Sequence, residues 1–190
     1  MWEVIIFIAT TAFLIMVLRK LPVDAETTFK ETGKKAETKE KSLRVEADEY
    51  FEQGESKKAE VAYLKLLSKE PNDASLFNKL GLIYLESKNY KDAKAALLAA
   101  LKIEPENDTF YNNLGLLYYE MEDYDLAIEA YEKSVAINDK IASRLVNLGL
   151  AYFMNKKYRR AADQYEKAII LDPRNENYIE LLKKAEEKLK

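Results

Sequence analysis

A short pattern recurs three times along this chain, as NKLGLIY at 78–84, NNLGLLY at 112–118 and VNLGLAY at 146–152. Each copy begins 34 residues after the previous one. The same step separates other residues as well: Ala93, Ala127 and Ala161; Tyr90, Tyr124 and Tyr158; and Pro71 and Pro105. A fixed period of about 20–50 residues that extends over many positions indicates a solenoid of stacked repeats.

The glycine of each copy suggests how the repeats pack. Gly81, Gly115 and Gly149 fall in the middle of a predicted helix, where glycine is about 1 kcal/mol less favourable than alanine. An unfavourable residue that recurs three times indicates a close approach of two helices, which a side chain would block. We therefore predict that each glycine faces the second helix of its pair, where the repeating alanines supply small side chains.

The order Leu-Gly-x-x-Tyr, then alanine, then an aromatic residue or leucine, then proline, resembles the tetratricopeptide repeat family. The resemblance implies an all-α fold, a right-handed α-solenoid of helix-turn-helix repeats. The expected units are 40–73, 74–107, 108–141 and 142–175. Polar segments predict the turn between the two helices of a unit at 87–90, 121–124 and 155–158.

The two ends of the repeat array differ from its middle. In the first unit, Ala47 occupies the glycine position, while Tyr50 and Tyr63 keep their places. Behind the last unit, an apolar stripe runs through residues 176–190: Tyr178, Leu182, Ala185 and Leu189. Such a stripe between charged faces predicts a helix that caps the open end of the stack.

The N-terminal segment predicts a membrane anchor. Residues 4–18 read VIIFIATTAFLIMVL, without a charge. A helix over residues 2–18 would be about 25 Å long, slightly shorter than a hydrocarbon core of about 30 Å. We expect a transmembrane helix at 2–21 and then a charged stalk at 22–40, which has too few apolar residues to fold alone. The chain thus resembles a membrane-anchored tetratricopeptide repeat protein.

Basic residues predict the orientation of this anchor. Arg19, Lys20 and five further lysines up to residue 41 follow the apolar run, and no basic residue precedes it. Because cytoplasmic flanks carry the excess of Lys and Arg, we expect a single-pass protein with its N-terminus outside and its repeats in the cytoplasm. A cleaved signal peptide is the alternative. Cleavage after Val23-Asp24-Ala25 would leave the repeats extracytoplasmic.

Composition argues against several kinds of chemistry. The 190 residues include no histidine or cysteine, so a histidine base, a cysteine nucleophile, a disulfide and a thiolate zinc site are all excluded. Lys and Arg number 30 against 33 Asp and Glu, which gives no support to nucleic-acid binding. The five glycines are too scattered for a phosphate-binding loop. We expect no catalysis, no metal or other cofactor, and no nucleic-acid or small-molecule partner.

Protein binding is what this composition favours. The family resemblance implies that a peptide lies in the concave groove of the stack, against residues of the first helices that face away from the packing positions. The expected peptide-binding residues are Asn78, Lys79, Leu82, Asn112, Asn113, Leu116, Tyr119, Asn147, Leu150 and Phe153. An asparagine both donates and accepts, so Asn113 and Asn147 could hold main-chain amides. Their alternative role is an ordinary internal hydrogen bond.

One specialisation of the family does not fit this sequence. Chaperone-binding members hold a C-terminal carboxylate with two cations and two asparagines spread over three repeats. In one alignment with that pattern Asp48 would repel the carboxylate, and one repeat further on the cations are missing. The groove instead combines amides with an apolar and aromatic floor, which suits an extended or helical segment with Leu-like or Phe-like anchors.

Two functions follow from this reading. The first is a membrane-anchored adaptor or scaffold that binds a protein or peptide segment in its concave groove and recruits it to the membrane. The second is a structural assembly scaffold that self-associates or docks on a larger membrane complex through its edges and convex faces. Only the first needs the concave residues Asn113, Asn147 and Tyr119 for its partner.

Overall fold

The computed structural model describes residues 42–190. The anchor predicted at 2–21 and the stalk predicted at 22–40 lie outside this range. All regular elements between residues 42 and 190 are helices. None of these helices is long and apolar enough to cross a membrane.

Nine helices lie within residues 42–190. They are α1 (42–52), α2 (Ser56–Leu67), α3 (Ala74–Glu86), α4 (Tyr90–Ile103), α5 (Asp108–Glu120), α6 (Tyr124–Ile137), α7 (Ala142–Met154), α8 (Tyr158–Leu171) and α9 (Glu176–Glu187). From α3 onward each helix packs against the next, and α3, α5 and α7 also contact one another in sequence. The result is the expected all-α solenoid, built from helix pairs that follow the 34-residue step.

Helix boundaries follow local sequence signals. Four side chains cap a following helix by accepting a hydrogen bond from a backbone N–H of its first turn: Asp73, Asn89, Asn107 and Asp123. At the other end, α2, α4 and α8 stop within a few residues before Pro71, Pro105 and Pro173, respectively. Proline cannot continue the hydrogen-bond ladder of a helix, which explains why these helices end there.

In each helix pair, the turn between the first and second helix contains a residue in a left-handed backbone conformation. In the first pair this residue is Gly54, with a φ of 73°. Lys88, Glu122 and Lys156 occupy the same position in the later pairs, with φ of 58°, 61° and 59°. For residues other than glycine this conformation costs roughly 1–2 kcal/mol. The polar segments predicted the three later turns, but the residue types lysine and glutamate did not indicate a left-handed backbone there.

The predicted close approach at the glycines is confirmed, although the contacting residue differs from the one expected. The facing residues are Leu97 for Gly81, Tyr131 for Gly115 and Tyr165 for Gly149. A Cβ on Gly115 would lie only 2.5 Å from Cδ1 of Tyr131. Thus the side chain four residues after each repeating alanine covers the glycine, and the buried alanine allows the two helices to come together.

The last helix covers the end of the stack as the apolar stripe predicted. Ala185 is fully buried, and Tyr178 and Leu182 are partly buried against the core. Leu189 is an exception, because α9 ends at Glu187 and leaves this side chain 52% exposed. Leu181, which the stripe did not include, packs against the core instead.

Gly115→Ala tests the close packing at the glycine, because helix propensity and steric contact predict stability changes of opposite sign. Propensity alone would make the alanine variant more stable by about 1 kcal/mol. Because its Cβ would lie 2.5 Å from Tyr131, we expect the opposite sign, a free energy of unfolding lower by about 1–3 kcal/mol. Urea unfolding followed by circular dichroism measures this difference.

A double-mutant cycle then identifies the cause. In a Tyr131→Val background the ring is absent, so Gly115→Ala should cost much less. Glu120→Ala, at an exposed position of the same helix, is the control and should change stability little. An equal cost of Gly115→Ala in both backgrounds would refute the proposed contact.

Candidate functional site

The first helices of neighbouring repeats, which the family resemblance predicts to line a concave groove, contact one another: α3 contacts α5, and α5 contacts α7. These three helices carry all ten residues predicted from the sequence as peptide contacts. The structure divides these residues into amide pairs, an ion pair, a leucine-lined cavity and two aromatic side chains.

Two asparagine pairs join neighbouring first helices across the groove. Nδ2 of Asn113 donates to Oδ1 of Asn78 at 2.8 Å, and Nδ2 of Asn147 donates to Oδ1 of Asn112 at 3.0 Å. Asn78 and Asn113 are each 8% exposed. The internal hydrogen bonds considered from the sequence therefore exist. Each amide has two N–H donors, so every pair keeps donors that a ligand carbonyl could use.

At the N-terminal end of the groove the predicted cation is already paired. Lys79 Nζ lies 2.5 Å from Oδ1 of Asp48, and the Tyr63 hydroxyl donates to the same oxygen at 2.8 Å. The ammonium group also lies 5.5 Å from the centroid of the Tyr63 ring. Burial, followed by the hydrogen bond to Asp48, raises the pKa of Tyr63. Lys79 thus contributes to the packing of the first two repeats.

Arg44 is paired in a similar way. Its Nη2 lies 2.5 Å from Glu70 Oε2 and 2.8 Å from Asp73 Oδ2. Asp73 also caps α3 through its side chain. Both cations that a carboxylate clamp would need at this end therefore have acidic partners within the chain, in agreement with the rejection of a clamp from the sequence.

Leucines from two neighbouring repeats line a cavity in the groove. Its volume is about 330 Å³, and its lining residues are Leu82, Leu85, Glu86, Lys88, Leu116 and Glu120. The structure thus brings the predicted contacts Leu82 and Leu116 together. The cavity offers an apolar floor with two carboxylates and one ammonium group at its margin.

Two half-buried aromatic side chains continue the apolar surface. Tyr119 meets the Tyr124 ring edge-to-face at a centroid distance of 5.6 Å, and Phe153 meets Tyr158 at 5.2 Å in the same geometry. Both partners are the first residue of the following helix. Leu150 is half-buried against the core close by. The predicted anchors are therefore held in place by ring contacts within their own helix pair.

Tyr165, which is not among the residues predicted from the sequence, is fully buried and its ring lies against Gly149. It occupies the repeat position of Tyr63, but leucines stand where Tyr63 has Asp48 and Lys79, namely Leu150 and Leu181. Within the described part of the chain, its buried hydroxyl has no hydrogen-bond partner. Burial, and then the proximity of Tyr119, raises the pKa of Tyr165. Aligning the repeats in the sequence would have shown that the polar partners of Tyr63, Asp48 and Lys79, are replaced by leucines near Tyr165.

The site has the chemistry of a binding surface. Amide donors, phenol groups and leucine side chains can hold a polypeptide through main-chain hydrogen bonds and apolar contacts. Between residues 42 and 190, no group of acidic side chains is arranged to hold a metal ion.

Comparisons with known proteins support the repeat assignment. A family model described as tetratricopeptide repeat matches residues 72–140 and 106–171, and one described as TPR repeat matches residues 47–88. A search of curated protein sequences gives no significant match.

Solved structures with the same architecture cover most of the chain. A crystal structure of MamA protein is 25% identical, with a TM-score of 0.70 over 78% of this chain and 81% of that one. MamA 41-end from Desulfovibrio magneticus RS-1 is 22% identical, with a TM-score of 0.68 over 80% of this chain and 91% of that one. The first TPR of Spaghetti (RPAP3), bound to the HSP90 peptide SRMEEVD, is 22% identical, with a TM-score of 0.59 over 61% and 92%.

Tyr165→Phe and Tyr63→Phe should differ in their effect on stability. A buried donor without a partner destabilises a protein by about 1–3 kcal/mol. Tyr165→Phe removes such a donor, so we expect a free energy of unfolding that is unchanged or higher. Tyr63→Phe removes the hydrogen bond to Asp48 and should lower stability by about 1 kcal/mol or more. Urea midpoints measured in parallel test both signs, and destabilisation by Tyr165→Phe would mean that its hydroxyl is satisfied.

Proposed function

This chain belongs to the tetratricopeptide repeat family, and on that basis we propose that it is an adaptor that brings a partner protein to a membrane. Repeats of this family act as protein-interaction scaffolds, and the RPAP3 relative of the same fold is bound to a peptide. The proposed ligand is an extended or helical polypeptide segment, held in the concave groove.

The alternation of amides and leucines along the groove is the observation that carries this proposal. The two asparagine pairs retain N–H donors that suit main-chain carbonyls. The cavity between Leu82 and Leu116 offers about 330 Å³ for an apolar side chain. Main-chain recognition beside an apolar pocket gives affinity for a backbone together with preference for a leucine-like or phenylalanine-like anchor.

The charges of the groove disfavour an acidic ligand. Lys79 and Arg44 are engaged by Asp48, Glu70 and Asp73. Glu86 and Glu120 border the leucine-lined cavity against one lysine. We therefore propose that this groove selects apolar anchors, in contrast to recognition of an acidic C-terminus such as that of SRMEEVD.

Attachment to the membrane is the second part of the proposal. The uncharged run at 4–18, with all nearby basic residues behind it, supports a single-pass anchor with the repeats in the cytoplasm. An anchored groove would search for its partner in two dimensions. Extracytoplasmic repeats, released by signal cleavage, are the alternative topology.

The groove proposal predicts a specific pattern of affinities. A partner captured with residues 42–190 and then purified should lose about thirtyfold or more in affinity for Tyr119→Ala and for Phe153→Ala, since truncated aromatic anchors commonly cost about 2 kcal/mol or more. Raising the salt concentration should matter little, because exposed rim charges contribute about 0–1 kcal/mol. Isothermal titration at low and high salt measures both effects.

Controls separate binding from folding. Tyr111→Ala removes a half-buried ring from a different face of α5 and should leave affinity unchanged. Asn113 is unsuitable as a first target because its side chain ties α5 to α3. The peptide SRMEEVD should not compete. An affinity that survives both aromatic substitutions would favour the structural scaffold, which binds through edges and convex faces.

The anchor proposal predicts that the full chain partitions with membranes and resists alkaline extraction. Because the chain has no cysteine, Ser42→Cys creates a single labelling site next to the repeats. We expect an impermeant maleimide to leave this thiol unmodified in intact cells and to label it after permeabilisation. Labelling in intact cells would reverse the orientation, and a shortened soluble form would identify a cleaved signal.

A further inference from the structure

A second groove lies between second helices of neighbouring repeats. Its cavity of about 370 Å³ is bounded by α4 and α6 and floored by α5, and we call it the outer groove. Its lining residues are Leu98, Leu101, Lys102, Tyr111, Leu114, Tyr118, Leu126, Glu129, Ala130 and Lys133. None of the ten residues predicted for the concave groove is among them. The volume falls in the range of about 300–1,000 Å³ that is usual for binding sites.

In the neighbouring repeats, polar side chains engage the tyrosine at the corresponding position. The Tyr152 hydroxyl donates to Glu132, and the guanidinium of Arg160 lies 5.7 Å from the centroid of the Tyr152 ring. Burial, together with the bond to Glu132, raises the pKa of Tyr152 to about 12. Burial, and then the nearby Glu60 carboxylate, raises the pKa of Tyr84 to about 12 as well. These tyrosines therefore find their partners within the chain.

The outer groove has leucines at the positions where the following repeat has Glu132 and Arg160. One 34-residue step places Leu98 at the position of Glu132 and Leu126 at that of Arg160. Leu98 is 44% exposed and Leu126 is 36% exposed. No side chain in the described part of the protein hydrogen-bonds the Tyr118 hydroxyl at the floor. The groove thus presents apolar side chains to solvent where the following repeat has a glutamate and an arginine that engage its tyrosine.

Lysines surround this apolar surface. Lys102 lies at its edge, Lys133 Nζ lies 5.7 Å from the centroid of the Tyr111 ring, and Lys94 Nζ lies 5.2 Å from that of Tyr118. Glu129 is the acidic residue of the lining, and it pairs with Lys133 at 3.1 Å. Because Glu129 is paired with Lys133, Lys102 in the lining and Lys94 above Tyr118 leave this groove with an excess of positive charge, opposite in sign to the margin of the concave cavity.

We propose that the outer groove binds an acidic amphipathic helix of a partner protein. Its leucine-like side chains would cover Leu98 and Leu126, and its carboxylates would lie beside the three lysines. A helix suits a groove between two helices, where apolar residues at i, i+3, i+4 and i+7 form one contact stripe. This site is separate from the concave groove, so the chain can hold two partners at once.

Two helical probe peptides test the outer groove. Both carry leucines at i, i+3, i+4 and i+7; the other positions are rich in glutamate in one probe and in lysine in the other. Fluorescence anisotropy measures their binding to the full chain, reconstituted in nanodiscs of zwitterionic lipid. We expect the glutamate probe to bind at least about tenfold more tightly than the lysine probe, and to weaken as salt rises.

The decisive variant copies the neighbouring repeat. Leu98→Glu combined with Leu126→Arg installs the residues that engage Tyr152 one repeat later, so the variant is expected to fold. It should weaken binding of the glutamate probe about thirtyfold or more. Leu64→Glu, at the equivalent exposed position of α2, is the matched control and should have no effect. Leu98→Glu alone provides a milder variant if circular dichroism shows that the double variant does not fold.

Each other outcome overturns the proposal. No binding of the glutamate probe, equal binding of both probes, or unchanged binding by the substituted chain would exclude an acidic helix as the occupant. Self-association of the chain that the double substitution disperses would identify a second copy as the occupant instead. Tyr119→Ala and Phe153→Ala should leave probe binding intact, so failure here is distinguishable from failure of the concave groove.

Discussion

The contact between a glycine in the first helix and a bulky side chain in the second sets the geometry of each later repeat. Tyr131 lies across Gly115, and Tyr165 lies across Gly149, at distances that leave no room for a Cβ. This contact fixes how closely the two helices of a pair approach, and therefore how the next pair can stack. The buried core and both grooves depend on this spacing, because each is formed by residues from neighbouring pairs.

Because the packing residues recur in every repeat, the other positions can differ from one repeat to the next. At the repeat position of Tyr63, Asp48 and Lys79 lie against the phenol, whereas Tyr165 in the fourth repeat has Leu150 and Leu181 at the corresponding positions. The packing is preserved, but the surface changes from an ion pair to an apolar wall. Functional differences along the groove therefore require no change of fold, because the packing columns and the surface columns are separate residues of the same helices.

The two grooves lie on different sides of the helix pairs, and both are lined by positions that vary between repeats. The concave groove has amide pairs, leucines and an acidic margin, and the outer groove has leucines within a ring of lysines. Each groove is lined by residues of consecutive repeats, so a ligand in either would bridge repeats that already pack together. Binding would then reinforce the stacking of the array, since contacts to two repeats favour their native arrangement.

The repeats, the helix pairs and the close approach at the glycines were predictable from the sequence, because each depends on local propensity or on a fixed period. The side chains that meet across repeats are visible only in the folded molecule. Asn113 meets Asn78, and Lys79 meets Asp48, although more than 30 residues separate the members of each pair. Such contacts depend on how stacked helices place distant side chains together, which periodicity does not encode. The left-handed turn at Glu122 is a local feature that its residue type did not indicate, because glutamate rarely adopts this conformation.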